Sequence, residues 1–183
     1  MGNSSCRRAV LAFVLLGAVL VGFGCSTARD SQTVVMLIES SPLNLDPRIG
    51  TDAQSERISS LIFDSLLRRD RSSNLQPWLA ASWEVPDPLT YVFHLRRDVR
   101  FHDGKPLTAR DVRYTFQSLL SGQIKSIKAS SYSLIASVET PDDFTVVFRL
   151  KEPRASFLWN LTQGAIGIVP EGSAEELDRK SVV

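Results

Sequence analysis

Across residues 75–120 the spacing of apolar positions changes in a definite order. Tyr91, Phe93 and Leu95 alternate with Val92 and His94, which puts the first three on one face of a strand. Val99, Arg100 and Phe101 add a short extended arm that ends at Asp103-Gly104, a dipeptide suited to a tight turn. Thr108-Ala109-Arg110-Asp111 then predicts a helix start: Thr108 can cap free N–H groups, and Asp111 favours the positive helix end. Val112, Phe116 and Leu119 follow at helical spacing and give that helix one apolar face.

The same reading extends along the chain. Residues 34–38 are apolar throughout and predict a strand buried on both faces. Pro42 and Pro47 hold the next stretch extended. Thr51 or Asp52 opens a helix in which Ile58, Leu61, Ile62 and Ser65 share a face. Residues 71–74 form a polar turn, and Trp78 and Trp83 flank small Ala80, Ala81 and Ser82. Ser121-Gly122 ends the second helix, and residues 123–133 read as a polar, mobile segment. Residues 134–139 and 144–150 predict a hairpin with Phe144, Val146, Phe148 and Leu150 facing one core. Pro153 suits the first turn of a helix containing Phe157, Leu158 and Leu161, and residues 165–169 are the last apolar run. Nothing repeats at a period of 20–50 residues. The mixture predicts an α+β fold with antiparallel pairing in the middle.

Several of these pieces resemble the extracellular solute-binding proteins of family 5, the peptide and nickel receptors of ABC importers. The resemblance lies in Leu79-Ala80-Ala81-Ser82-Trp83, in Tyr91-Val92-Phe93-His94-Leu95-Arg96, in the segment from Val99 to Ala109, and in Asp111-Val112. It continues upstream in Pro42-Leu43-Asn44-Leu45-Asp46-Pro47 and Ile62-Phe63-Asp64-Ser65-Leu66, and runs over residues 34–170. Pro86-Asp87-Pro88 stands where that family usually has a glycine-containing turn, which alters a loop and no chemistry. The resemblance implies a periplasmic-binding-protein fold of the type II kind, here a partial first lobe with an extra subdomain over about residues 45–151. The second lobe and the return strands of such receptors are missing from residues 34–183.

The start of the chain carries an export message. Arg7 and Arg8 precede the apolar and small residues 9–23, and Gly24-Cys25 closes the run. Residues 1–24 therefore read as a signal peptide and 25–33 as a tether, with Cys25 as the site of lipid attachment. A membrane span needs about 20 apolar residues, so the run is short for a permanent helix. An ordinary cleaved signal or an uncleaved anchor with an incidental cysteine stays open. Met1-Gly2 lacks the Ser or Thr that a myristoylation start requires at the sixth position, where Cys6 stands, and the surroundings of Arg7-Arg8 lend twin-arginine export little support. The expected location is the periplasm or the outer face of the cytoplasmic membrane.

Composition narrows the chemistry. The 183 residues leave room for about one ordinary domain. Loss of residues 1–24 removes only Arg7 and Arg8 among charged groups, so the formal charge of +1 becomes −1. No basic surplus points to nucleic acid. Cys6 and Cys25 are the only cysteines, so the folded part holds no disulfide and no thiolate metal cluster. His94 and His102 are the only histidines and do not make up a ligand set, so nickel capture through them is not expected. No G-x-S-x-G, H-E-x-x-H or phosphate-cradling loop occurs, and turn and helix-start roles account for Asp103 and Asp111. No enzyme activity and no cofactor are expected.

Binding residues are proposed on the resemblance. The loop with Ser40, Ser41 and Asn44 resembles the family segment that approaches the ligand cleft, and these side chains can hydrogen-bond a peptide backbone; ordinary loop capping is the competing role. Trp159 can line the cleft, although Phe157, Leu158 and Leu161 beside it favour a core aromatic. The function implied is a membrane-tethered receptor that captures an oligopeptide or similar solute by lobe closure and delivers it to an ABC permease. A truncated, non-transporting fragment of such a receptor is the alternative. An anchored hydrolase of envelope peptides is disfavoured because no nucleophile or metal set is present.

Overall fold

The structure, a computed structural model, describes residues 35–162 and 164–173. The chain divides into Met1–Leu37 and Ile38–Val183. Of the first unit only Val35, Met36 and Leu37 are described; they are irregular and exposed, Leu37 at 92%. The export signal, the tether and Cys25 lie outside the described residues. Apart from these three residues, everything below concerns the second unit.

Its elements in order are α1 (Ala53–Ile62), β1 (Leu67–Arg69), β2 (Leu75–Pro77), β3 (Ala80–Asp87), β4 (Thr90–Leu95), α2 (Ala109–Leu120), a 3-10 helix (Ile127–Tyr132), β5 (Ile135–Asp142), β6 (Thr145–Leu150) and a second 3-10 helix (Leu158–Leu161). β1 and β2 form a small antiparallel hairpin around the Arg71–Asn74 turn, where Ser73 takes a φ of 63°. β3, β4, β6 and β5 lie side by side, in that order, in one antiparallel sheet. These elements make up the expected α+β architecture.

The core follows from the period-two pattern of β4. Tyr91, Phe93 and Leu95 are buried, and Phe93 sits opposite Val146 of β6. His94 falls on the outer face, 3.2 Å from Glu84 of β3. Val112, Phe116 and Leu119 carry α2 onto the buried sheet face, as their spacing requires. Phe148 is the hub, with its ring 5.6 Å from Phe93, 5.0 Å from Phe116 and 5.5 Å from Phe157, each near edge-to-face. At the start of α2 the Asp111 carboxylate accepts from both the N–H (2.8 Å) and the hydroxyl (2.9 Å) of Thr108. The preceding turn has Gly104 at a φ of 86°, a backbone state that glycine adopts without a Cβ clash.

Five expectations need correction. Val35–Ile38 form no strand and are exposed, because no described strand pairs with them and a two-faced strand needs neighbours on its edges. α1 opens at Asp52 as expected but turns its polar side inward: Gln54, Ser55 and Ser59 are buried, while Leu61 is 69% exposed and Ser65 lies beyond the helix. The reason is hydrogen bonding to the loop before it. Ser55 Oγ accepts from the Asn44 N–H at 3.0 Å, and Ser59 Oγ donates to the Leu45 carbonyl at 3.1 Å. The polar segment 123–133 is a structured 3-10 turn held by buried Ile124 and Tyr132. The β5–β6 hairpin is longer than its apolar pattern, pairing out to Asp142↔Thr145. After Pro153 the chain makes only a turn and a short 3-10 helix.

Candidate ligand-binding site

Two chain segments, residues 44–50 on the entry side and residues 165–171 on the exit side, cross against each other, and polar chemistry gathers at these crossings. On the entry side Asp46-Pro47-Arg48 forms a tight turn, with the Ile49 N–H donating to the Asp46 carbonyl at 3.0 Å. Arg48 is fully buried and clasps Asp46 through Nε (3.0 Å) and Nη2 (2.6 Å). Its Nη1 donates to Ser118 Oγ of α2 at 3.0 Å. From the 3-10 turn, Ser126 Oγ donates to the Arg48 carbonyl and Lys128 Nζ donates to the Pro47 carbonyl at 2.9 Å. Burial lowers the Lys128 ammonium from its ordinary pKa, and the negative charges of Glu56 and Asp46 partly offset this.

On the exit side, the Ile168 N–H donates to the Asp64 carbonyl at 2.8 Å, and Ser65 Oγ donates to the Ile166 carbonyl. Gly167 lies where entry and exit meet: a Cβ there would come within 2.5 Å of Phe63 Cβ and 3.1 Å of Pro47 Cβ.

Two clefts flank these crossings. The smaller, lined by Glu56, Ser59, Ser60, Lys128 and Gly164 among others, has a volume of only about 10 Å³, room for a single water. The larger, about 280 Å³, has walls of Ile62, Phe63, Leu79, Val99, Phe101 and Leu107. Asp64, Arg100, His102 and Asp103 add polar groups to it. These groups already have partners: Trp78 Nε1 donates to Asp64 at 2.7 Å, Arg100 Nη1 to the Gly104 carbonyl at 2.9 Å, and Lys105 pairs with Asp103 at 2.9 Å. Among the described residues no group of three or more His, Cys, Asp or Glu converges as a metal site would require.

The residues picked from sequence fall elsewhere. Ser40 and Ser41 are exposed on the leading loop. Asn44 is engaged in that loop's own structure, its Oδ1 accepting from the Asp46 N–H at 2.8 Å. Trp159 is 40% exposed, more open than a core aromatic. None of the four lines either cleft. Sequence reasoning missed Arg48, Lys128 and a second buried stripe on α2 made of Asp111, Thr115 and Ser118. The stripe had a legible signal: polar residues spaced by four and then three lie together on one side of a helix.

Comparison with known proteins fits this architecture. Residues 74–182 match the family described as bacterial extracellular solute-binding proteins, family 5 Middle. Protein XP55 of Streptomyces lividans is 37% identical over 150 residues, covering 81% of this chain and 26% of its own. The oligopeptide-binding protein AppA of Bacillus subtilis is 34% identical over 134 residues, covering 69% of this chain and 25% of its own. The solved structure of AppA in complex with a nonapeptide superposes with a TM-score of 0.67 at 30% identity, over 74% of this chain and 28% of that one. Haemophilus influenzae OppA in complex with RPPGFSPFR gives a TM-score of 0.69 at 26% identity, over 78% of this chain and 31% of that one. The chain thus spans about a quarter of the length of these curated relatives.

Proposed function

Because this chain belongs to the bacterial extracellular solute-binding proteins of family 5, we propose that it serves as the solute-capturing component of an ABC importer, with oligopeptides as its ligands. The observation that carries this reading is the superposition on AppA bound to a nonapeptide, at 30% identity. Capture is non-covalent. Ligand contacts favour a closed arrangement of lobes, and an ABC permease receives the cargo.

Within this reading, residues 1–24 direct export, Cys25 takes a lipid, residues 25–33 tether the domain outside the membrane, and residues 45–151 are the extra subdomain of the first lobe. Exposed Ser40 and Ser41 offer hydroxyls to a peptide backbone, and half-open Trp159 offers an aromatic face to a side chain. Asn44 acts through the shape of the leading loop, since its side-chain oxygen is already engaged.

The test is calorimetric titration of RPPGFSPFR into the purified chain and into the product of the reading frame continued past Val183, with mass spectrometry of the recovered peptide. Saturable binding with the peptide intact supports the receptor. Peptide cleavage would overturn it in favour of a hydrolase. Binding by the longer product alone assigns capture to surfaces that residues 1–183 share with the rest of a receptor, and gives the isolated chain the role of a non-transporting fragment.

A further inference from the structure

Helix α2 has two buried faces with different tasks. Val112, Phe116 and Leu119 pack into the core, whereas Asp111, Thr115 and Ser118 are buried at 8%, 0% and 1% and face the two chain crossings. The proton bookkeeping of this second face is uniform. Thr115 Oγ1 donates to the Asp111 carbonyl at 2.8 Å, and Ser118 Oγ donates to the Thr115 carbonyl at 2.9 Å. The Val169 carbonyl also lies 3.4 Å from Thr115 Oγ1, but the shorter contacts direct each hydroxyl's one proton to its own helix and present a lone pair outward. Asp111 Oδ2 is held by Thr108, which leaves Oδ1 pointing the same way.

Three donors from the crossings meet these three acceptors. The Glu171 N–H donates to Asp111 Oδ1 at 2.9 Å, the Val169 N–H to Thr115 Oγ1 at 3.1 Å, and Arg48 Nη1 to Ser118 Oγ at 3.0 Å. Entry and exit segments are thus fastened to one helix face. The close approach of Gly167 to Pro47 shows independently that the two segments lie against each other.

We propose that Asp111, Thr115 and Ser118 form a polar clasp that fixes the entry and exit crossings in one register, and so pre-organises the leading loop with Ser40 and Ser41 for ligand capture. A fully satisfied buried network specifies a single arrangement, and pre-organisation improves affinity by removing the ordering cost of binding. The three are positioning residues, acting through the backbone they hold. The second half of the proposal rests on the receptor reading above; the clasp itself does not.

Thr115→Val tests it, because it keeps the side-chain shape while deleting the acceptor. In the purified chain, hydrogen exchange of the Val169 amide is expected to rise by about tenfold or more, the equivalent of one lost buried hydrogen bond, while the Phe148 amide reports global opening. Affinity for RPPGFSPFR is expected to fall with it, and Thr115→Ser is expected to restore both. If Val169 accelerates only in step with Phe148, Thr115 contributes ordinary stability and the clasp is wrong. If Val169 accelerates alone while affinity holds, the pre-organisation is wrong. Should Thr115→Val fail to fold, Ser118→Ala removes the Arg48 contact together with the hydroxyl's bond to the Thr115 carbonyl within α2, and alanine suits a helix. Selective acceleration of the Arg48 and Ile49 amides in that variant supports the clasp, and unchanged exchange overturns it. Failure of the unmodified protein to bind the peptide would count against the receptor reading and leave the exchange result to decide the clasp.

Discussion

Arg48 grips Asp46, two residues before it, with both carboxylate oxygens engaged and the two side chains only 0% and 5% exposed. A guanidinium buried this deeply is tolerated only because its donors are met, by the carboxylate fork and by Ser118. Arg48→Met strands the Asp46 charge in a dry site and is expected to cost about 3 to 5 kcal/mol. That is a large share of the ~5 to 15 kcal/mol that holds a typical domain folded. Urea unfolding of the two proteins would measure it, and a cost below about 1 kcal/mol would place the pair in water instead.

Gly167 is required for space. Alanine there would drive its Cβ to 2.5 Å from Phe63 Cβ at the end of α1 and against Pro47 of the entry crossing. Overpacking of this kind costs about 1 to 3 kcal/mol, so Gly167→Ala should lower Tm by several degrees. An unchanged Tm would mean that the crossings part easily.

Tyr132 should make the protein sensitive to alkali. Burial pushes its phenol well above its ordinary value, and its hydroxyl donates to the Asn160 carbonyl at 2.8 Å. The folded state therefore resists ionisation of this group. Its contribution is complete below the unfolded tyrosine pKa of about 10 and is lost as pH rises beyond it. Thermal melts from pH 8 to 12 should show a steeper decline for the natural protein than for Tyr132→Phe, and parallel curves would remove Tyr132 as the cause.

Asp52 should act at the acid end. The hydroxyl and N–H of Ser55 hold its carboxyl below the usual value. Its stabilisation of α1 is present above the unfolded pKa of about 4 and is lost as pH falls through the lower folded value. Asp52→Ala should lower Tm at neutral pH by more than in acid, where the natural protein loses the charged cap as pH falls through the folded value. A difference that does not depend on pH would contradict the assignment.

Trp159 separates the packing and binding roles. At 40% exposure, Trp159→Phe should leave Tm almost unchanged, and peptide affinity should fall if the indole meets the ligand. A large loss of Tm with unaltered affinity would return this residue to the core.

The periodic elements were legible in advance because their burial repeats along the chain. β4, the apolar face of α2 and the Phe148 strand need only one side to face a core, and alternation or helical spacing states which side that is. The β1–β2 hairpin escaped notice because three-residue strands are too short to show a period. α1 misled for a different reason: its apolar stripe is real, but Ser55 and Ser59 are needed by the loop backbone and took the inner side. Of the site, Ser40, Ser41, Asn44 and Trp159 were chosen by resemblance, and the crossings with Arg48, Lys128 and Gly167 were not chosen at all.

From the order of its residues alone, this protein declared its solute-binding kinship, its antiparallel centre and the helix packed on it, since each is announced by a motif or a periodic pattern within a short stretch of chain. Tertiary structure alone decided that Arg48 is buried, that Thr115 meets Val169 and that Gly167 must have no side chain. Those contacts join positions about 50 to 120 residues apart, and no local preference states which distant group a residue will meet.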